Sequence, residues 1–124
     1  DKTLDIKWPD NNKNYYKKRI SSKKAVTFIA INDNKIIGYL IGSIIEAESY
    51  RSIKKIAELE NMFVEEKYRG KGVGKELIAK YIGWAKKMKV KRLRVIASAK
   101  NKKAISFYVK NGFSDYNLVM EYQK

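Results

Sequence analysis

The 124-residue chain contains no cysteine and no histidine. Lack of cysteine excludes disulfides and thiolate nucleophiles, and lack of histidine removes the imidazole of Ser-His-Asp chemistry. Together the two absences strip out the usual zinc ligands, so no metal is expected. A chain with no disulfides suits a reducing cytoplasm, its expected location. No uninterrupted apolar run approaches the ~18 residues of a membrane span, and no signal-peptide pattern opens the chain, so a soluble, unanchored protein is expected. Acidic residues are also scarce, and none occurs between Leu77 and Ser114.

What is present is an apolar fraction of 44% and a formal charge of +15, from 28 basic and 13 acidic residues. That length and apolar fraction predict one domain over 1–124, large enough to bury a core without staples. The charge favours an anionic partner through long-range attraction. It is mostly Lys scattered along the whole chain, whereas nucleic-acid binders concentrate charge on one face and are often rich in Arg. A basic nucleic-acid-binding domain is therefore the least favoured reading.

The chain is organised around Arg69-Gly70-Lys71-Gly72-Val73-Gly74, wedged between the apolar run Leu59 to Val64 and an amphipathic stretch ending near Met88. Three glycines in six residues let the backbone approach a ligand closely. At the start of a helix the free N–H groups and the positive end of the dipole favour an anion. A P-loop is excluded because Lys75 and Glu76 stand where its second glycine and lysine belong. The acidic gap excludes a dinucleotide fingerprint, which needs a carboxylate about 20 residues on.

The pattern that fits is Arg-x-x-Gly-x-Gly at a strand-to-helix junction, and it resembles the GNAT superfamily of N-acetyltransferases. Leu59-Glu60-Asn61-Met62-Phe63-Val64 resembles that family's central strand. Asn101 to Tyr108, with Asn111-Gly112-Phe113, is similar to its second cofactor segment. The resemblance covers roughly Val26 to Lys124 and implies a mixed α/β (α+β) fold, with a mostly antiparallel sheet flanked by helices. Family members usually begin with a further strand and a longer helix, so the N-terminal portion is expected to be missing or abbreviated.

The resemblance also implies acetyl transfer from acetyl-CoA to a primary amine. The backbone of Arg69, Gly70, Lys71, Gly72, Val73 and Gly74 would take the pyrophosphate, and Met62, Phe63 and Val64 the pantetheine arm and thioester. Asn101 would hydrogen-bond the arm or simply cap a helix. Tyr108, seven residues on, matches the family position of the tyrosine that protonates the departing thiolate. An alkylammonium must lose a proton first, at a cost of roughly 4 to 5 kcal/mol at neutral pH. Glu60 is the leading base, with Glu58, Glu65 or a water as alternatives. Other readings are a CoA-binding module without turnover, and a homodimer is compatible. The acceptor is not legible.

Along the chain, the turn cluster Pro9-Asp10-Asn11-Asn12 predicts the cap of a short helix bearing Tyr15, Tyr16 and Ile20. Strands are expected over Ala25 to Ile31, Ile36 to about Glu46, Leu59 to Val64, Arg92 to Ala97 and Leu118 to Tyr122. Asn32 to Lys35 reads as a hairpin turn, Gly38 and Gly42 as bulges or close approaches, and Glu48 to Lys55 as a charged loop near the acceptor. Val73, Leu77, Ile78, Tyr81, Ile82, Ala85 and Met88 recur at helical spacing. Asn101 to Asn111 should form a second helix, ended by Gly112, with helices on both faces of the sheet.

Overall fold

The computed structural model of the chain describes residues 2–7, 15–22, 24–47 and 51–123. Six strands, β1 (Lys2–Lys7), β2 (Tyr15–Ser22), β3 (Ala25–Asn32), β4 (Lys35–Glu46), β5 (Lys55–Val64) and β6 (Leu93–Val95), form one sheet in chain order. Helix α1 (Val73–Lys87) joins β5 to β6, and α2 (Lys102–Lys110) follows. Strands β1 to β5 pair antiparallel, and β6 runs parallel to β5, as a helical crossover requires. Among the described residues no helix is long and apolar enough to cross a membrane.

The hairpin between β3 and β4 turns through Asp33 and Asn34, both at left-handed φ (50° and 63°). Asp and Asn tolerate that region, and the resulting two-residue turn matches the twist of the strands. Tyr15–Ser22, expected to be helical, is instead a strand, because pairing along β3 from Tyr15–Ile31 to Arg19–Thr27 satisfies its backbone better than one short turn of helix. The Pro9–Asn12 turn cluster, and Glu48 to Tyr50 of the charged loop, lie outside the described residues. No strand forms at Leu118–Tyr122, where the backbone is irregular and Leu118, Val119, Met120 and Tyr122 are 75% to 89% exposed. It pairs with no strand among the described residues, and alternation of apolar residues alone does not make a strand.

Two bulges shape the sheet. Ala30 pairs with Gly38 and Ile31 with Ile36, so Ile37 is an extra residue in β4. Ile41 pairs with Asn61 and Gly42 with Leu59, so Glu60 is an extra residue in β5. An extra residue reverses the alternation of side chains beyond it. Leu59, Met62 and Val64 therefore pack on the same core, while Phe63 turns outward and is 44% exposed. A regular strand would have put Phe63 inside.

The core lies between the sheet and α1, whose Val73, Leu77, Ile78, Tyr81, Trp84 and Ala85 are buried against Val26 and Phe28 of β3 and Leu40 of β4. Trp84 belongs to this stripe although the spacing did not include it, and Met88 falls just past the helix, exposed. Glu76 in the first turn and Lys86 and Lys87 in the last complement the helix dipole. Helix α2 joins the same core through Phe107 and Tyr108. The opposite sheet face, expected to carry a helix too, carries none among the described residues.

Gly42 fixes how closely α1 approaches. A Cβ there would collide with Cε1 of Tyr81 and stand 2.8 Å from Cζ, so the tyrosine ring occupies the space the missing side chain leaves. Gly42→Ala should destabilise the fold by about 1–3 kcal/mol through overpacking. The buried Tyr81 hydroxyl has no hydrogen-bond partner among the described residues, so Tyr81→Phe should be neutral or stabilising. Urea unfolding of the two variants measures both effects; a loss above 1 kcal/mol for Tyr81→Phe would mean that the hydroxyl has a structural partner.

Candidate active site

The glycine turn is held from three sides. A single 3-10 turn, Glu66–Tyr68, leaves β5, and Arg69 N–H donates to the Glu66 carbonyl at 3.1 Å. The Arg69 Nε donates to the Val64 carbonyl at 2.7 Å, tying the turn to the end of β5. Asn32 Nδ2 donates to the Tyr68 hydroxyl at 2.8 Å, tying it to β3. The main-chain N–H of Arg69 is thus already committed, contrary to its expected place in an anion cradle, and its side chain acts as a clamp.

Beyond Arg69, Gly70 and Gly72 take left-handed φ of 75° and 87°, which only glycine adopts freely, and Gly72 is the N-cap of α1. The amides of Val73, Gly74 and Lys75 open the helix with no intrahelical partner, at the positive end of its dipole. Gly74 is needed for a different reason. A Cβ there would meet the Phe107 ring at 3.0 Å and Met62 Cε at 3.2 Å, so the glycine lets α1, β5 and α2 converge on one point.

On α2, Asn101 is the N-cap, its side chain accepting from Ala104 N–H at 3.1 Å. Its Oδ1 is therefore engaged, leaving the Nδ2 amide for any ligand. Tyr108 stands edge-on to Phe107 (5.5 Å between centroids) and Phe113 (5.7 Å). Burial among these rings pushes the Tyr108 phenol above its usual pKa, so it remains a proton donor throughout the neutral range. A groove of about 410 Å³ lined by Lys102, Lys103, Ser106, Phe107 and Lys110 runs along this helix and shares Phe107 with the Gly74 junction.

On β5 the three candidate carboxylates differ. Glu60, exposed at the bulge, accepts a hydrogen bond from the Ser43 hydroxyl. Glu58 is ion-paired to Arg94, whose Nη2 and Nε lie 2.8 Å and 3.0 Å from one carboxylate oxygen. Glu65 sits beyond the strand, its N–H donating to the Ile37 carbonyl at 2.7 Å. Pairing between β5 and β6 ends at Leu59–Val95, one residue before the bulge. Among the described residues no strand pairs on that side with the β5 edge from Glu60 through Met62, Phe63 and Val64, an edge that an extended ligand could pair with. Ser43, Arg94 and Tyr39 escaped the sequence reading because each reaches the site only through a cross-strand register.

An open strand edge running into a clamped glycine turn at a helix start is the arrangement the sequence motifs implied, and comparison with known proteins identifies the family. The pattern of the acetyltransferase (GNAT) family matches residues 2–113. The chain belongs to this GNAT family. It is 36% identical over 66 residues to an uncharacterised N-acetyltransferase of Methanocaldococcus jannaschii, a match covering 53% of this chain and 29% of that one, so the chain spans under a third of that relative. An aminoglycoside N-acetyltransferase solved with CoA superposes with a TM-score of 0.75 at 26% identity, over 84% of this chain and 69% of the other. An aminoglycoside antibiotic 6'-N-acetyltransferase of Acinetobacter haemolyticus gives 0.73 at 25%, over 84% and 72%.

Burial raises the pKa of the GNAT chain's Tyr81 as it does that of Tyr108, and the nearby Glu58 and Glu60 add to the shift at Tyr81. Both phenols are more easily ionised in the unfolded chain. Their contribution to stability is thus fully present below about pH 10 and is lost as pH rises beyond it. Tyr81→Phe should flatten the alkaline arm of the stability-pH curve, measured by urea unfolding between neutral and strongly alkaline pH; an unchanged slope would contradict the shift.

Proposed function

We propose that the chain transfers an acetyl group from acetyl-CoA to a primary amine. The observation that carries this reading is the open β5 edge leading into the free amides at the start of α1. Family membership and the CoA-bound neighbour support it. Acetyl-CoA would supply an activated thioester. The amides of Gly70 to Gly74 would hold its pyrophosphate, with Lys71 and the lysine-lined groove of α2 adding charge-assisted contacts.

Met62, Phe63 and Val64 present main chain to the pantetheine arm, and one such N–H aimed at the thioester oxygen contributes about 3 kcal/mol toward the barrier. Glu60 is the base. Glu58 is less suited because its carboxylate oxygen is already engaged by Arg94 in a salt bridge. Glu60 is exposed, fixed by Ser43 and displaced from the regular ladder by the bulge. Tyr108 donates a proton to the departing sulfur, and the Asn101 amide can donate to the arm.

Three substitutions separate these roles. Gly72→Asp should lose acetyl-CoA binding in calorimetry far more than Gly72→Asn, because both side chains tolerate left-handed backbone but only one places a negative charge at the pyrophosphate. Equal losses would mean that backbone strain, not charge, matters there. Tyr108→Phe should lower kcat by about a hundredfold with little change in acetyl-CoA affinity, and full turnover would remove the acid assignment. Glu60→Gln should lose most at low pH and recover as the free amine becomes abundant; an unchanged pH profile would move the base elsewhere.

A further inference from the structure

We propose that the acceptor is an amine with a single positive charge and an apolar body, seated on Tyr39 and Phe63 beside Glu60. This rests on the transferase reading above and deepens it. The bulge at Glu60 turns Phe63 away from the core, onto the sheet face opposite α1. Tyr39 is its partner across the strands, with ring centroids 5.9 Å apart and planes tilted by 33°. Asn61 Nδ2 lies 3.4 Å from the Tyr39 hydroxyl. The result is an aromatic step on the face opposite α1, three residues along β5 from the bulge carboxylate.

Charge decides between amines. A polycation would need several free carboxylates here. Glu58 is neutralised by Arg94, and Glu46 lies opposite Lys55 at the far end of the β4–β5 ladder. Among the described carboxylates of β5 and its end, Glu60 and Glu65 remain, and the Arg69 guanidinium stands 5.8 Å from the Phe63 ring. Two carboxylates against one guanidinium leave a single net negative charge, within a chain whose formal charge is +15. Each positive charge on the acceptor beyond the first therefore meets repulsion, felt over about 8 Å at physiological ionic strength. An apolar body on the amine gains contact with the two rings, and its ammonium gains attraction to the ring faces.

The reaction balances for such an acceptor. Its ammonium loses two protons, one to Glu60 before attack and one as the amide forms. The new N–C bond replaces the C–S bond, Tyr108 gives its proton to the sulfur and regains the one released from nitrogen, and the proton taken by Glu60 goes to solvent. The product is a neutral amide, which no longer interacts with Glu60 as a cation and is free to leave.

The test compares phenethylamine, methylamine, spermidine and kanamycin as acceptors, reading CoA thiol release at physiological ionic strength. Phenethylamine should have the highest kcat/KM, at least about tenfold above methylamine from the apolar area buried. Tyr39→Ala should raise the KM for phenethylamine by about tenfold and remove its advantage over methylamine. Preference for spermidine or kanamycin, or no advantage of phenethylamine over methylamine, overturns the inference. Calorimetric titration of the same amines into the CoA-saturated protein separates the two levels of the argument. Phenethylamine binding that is lost in Tyr39→Ala supports the acceptor site even if turnover, and with it the transferase reading, fails. Binding of spermidine in preference to phenethylamine refutes the site even if acetylation is observed.

Discussion

One extra residue in β5 governs the geometry of the site. Without the bulge at Glu60, Phe63 would point into the core, and Met62 and Val64 would point out. With it, the strand keeps a buried side for α1 while offering an aromatic and a carboxylate on the other. The bulge also comes one residue after the last β5–β6 pair, so the edge opens where the side-chain pattern changes. Bend, open edge and displaced carboxylate are thus one structural event.

The second constraint is closeness, and two glycines supply it. At Gly42 the absent side chain admits the Tyr81 ring, which sets α1 low on the sheet. At Gly74 it admits Phe107, which brings α2 against the start of α1 and the end of β5. The glycines at 70 and 72 have open space around them and are required instead for their left-handed backbone. Glycines alike in sequence thus answer to two different physical demands, and a substitution at each class fails for a different reason.

How much of this was readable follows from how local each feature is. The glycine turn, the Asn101 cap, the stripe of α1 and the parallel β6 depend on residues close in sequence or on the handedness of a crossover, and all were legible. The bulge was not, because Leu59 to Val64 reads as an ordinary strand until its partner fixes a register. The same holds for the Ser43–Glu60 and Arg94–Glu58 contacts, which span 17 and 36 residues. Tyr15–Ser22 misled in the opposite sense, since a local turn signal lost to pairing with β3. Leu118–Tyr122 has the alternation of a strand but pairs with no strand among the described residues.

That last stretch sets a physical condition on the whole protein. Tyr116, Leu118, Val119, Met120 and Tyr122 leave a run of large apolar side chains in water, in a chain carrying a formal charge of +15. Like charge on two copies opposes the approach of these runs. Such protection is only as long as the screening length, which shrinks to about 3 Å in molar salt. Colloidal behaviour is thereby made a function of ionic strength, even though the folded core is indifferent to it.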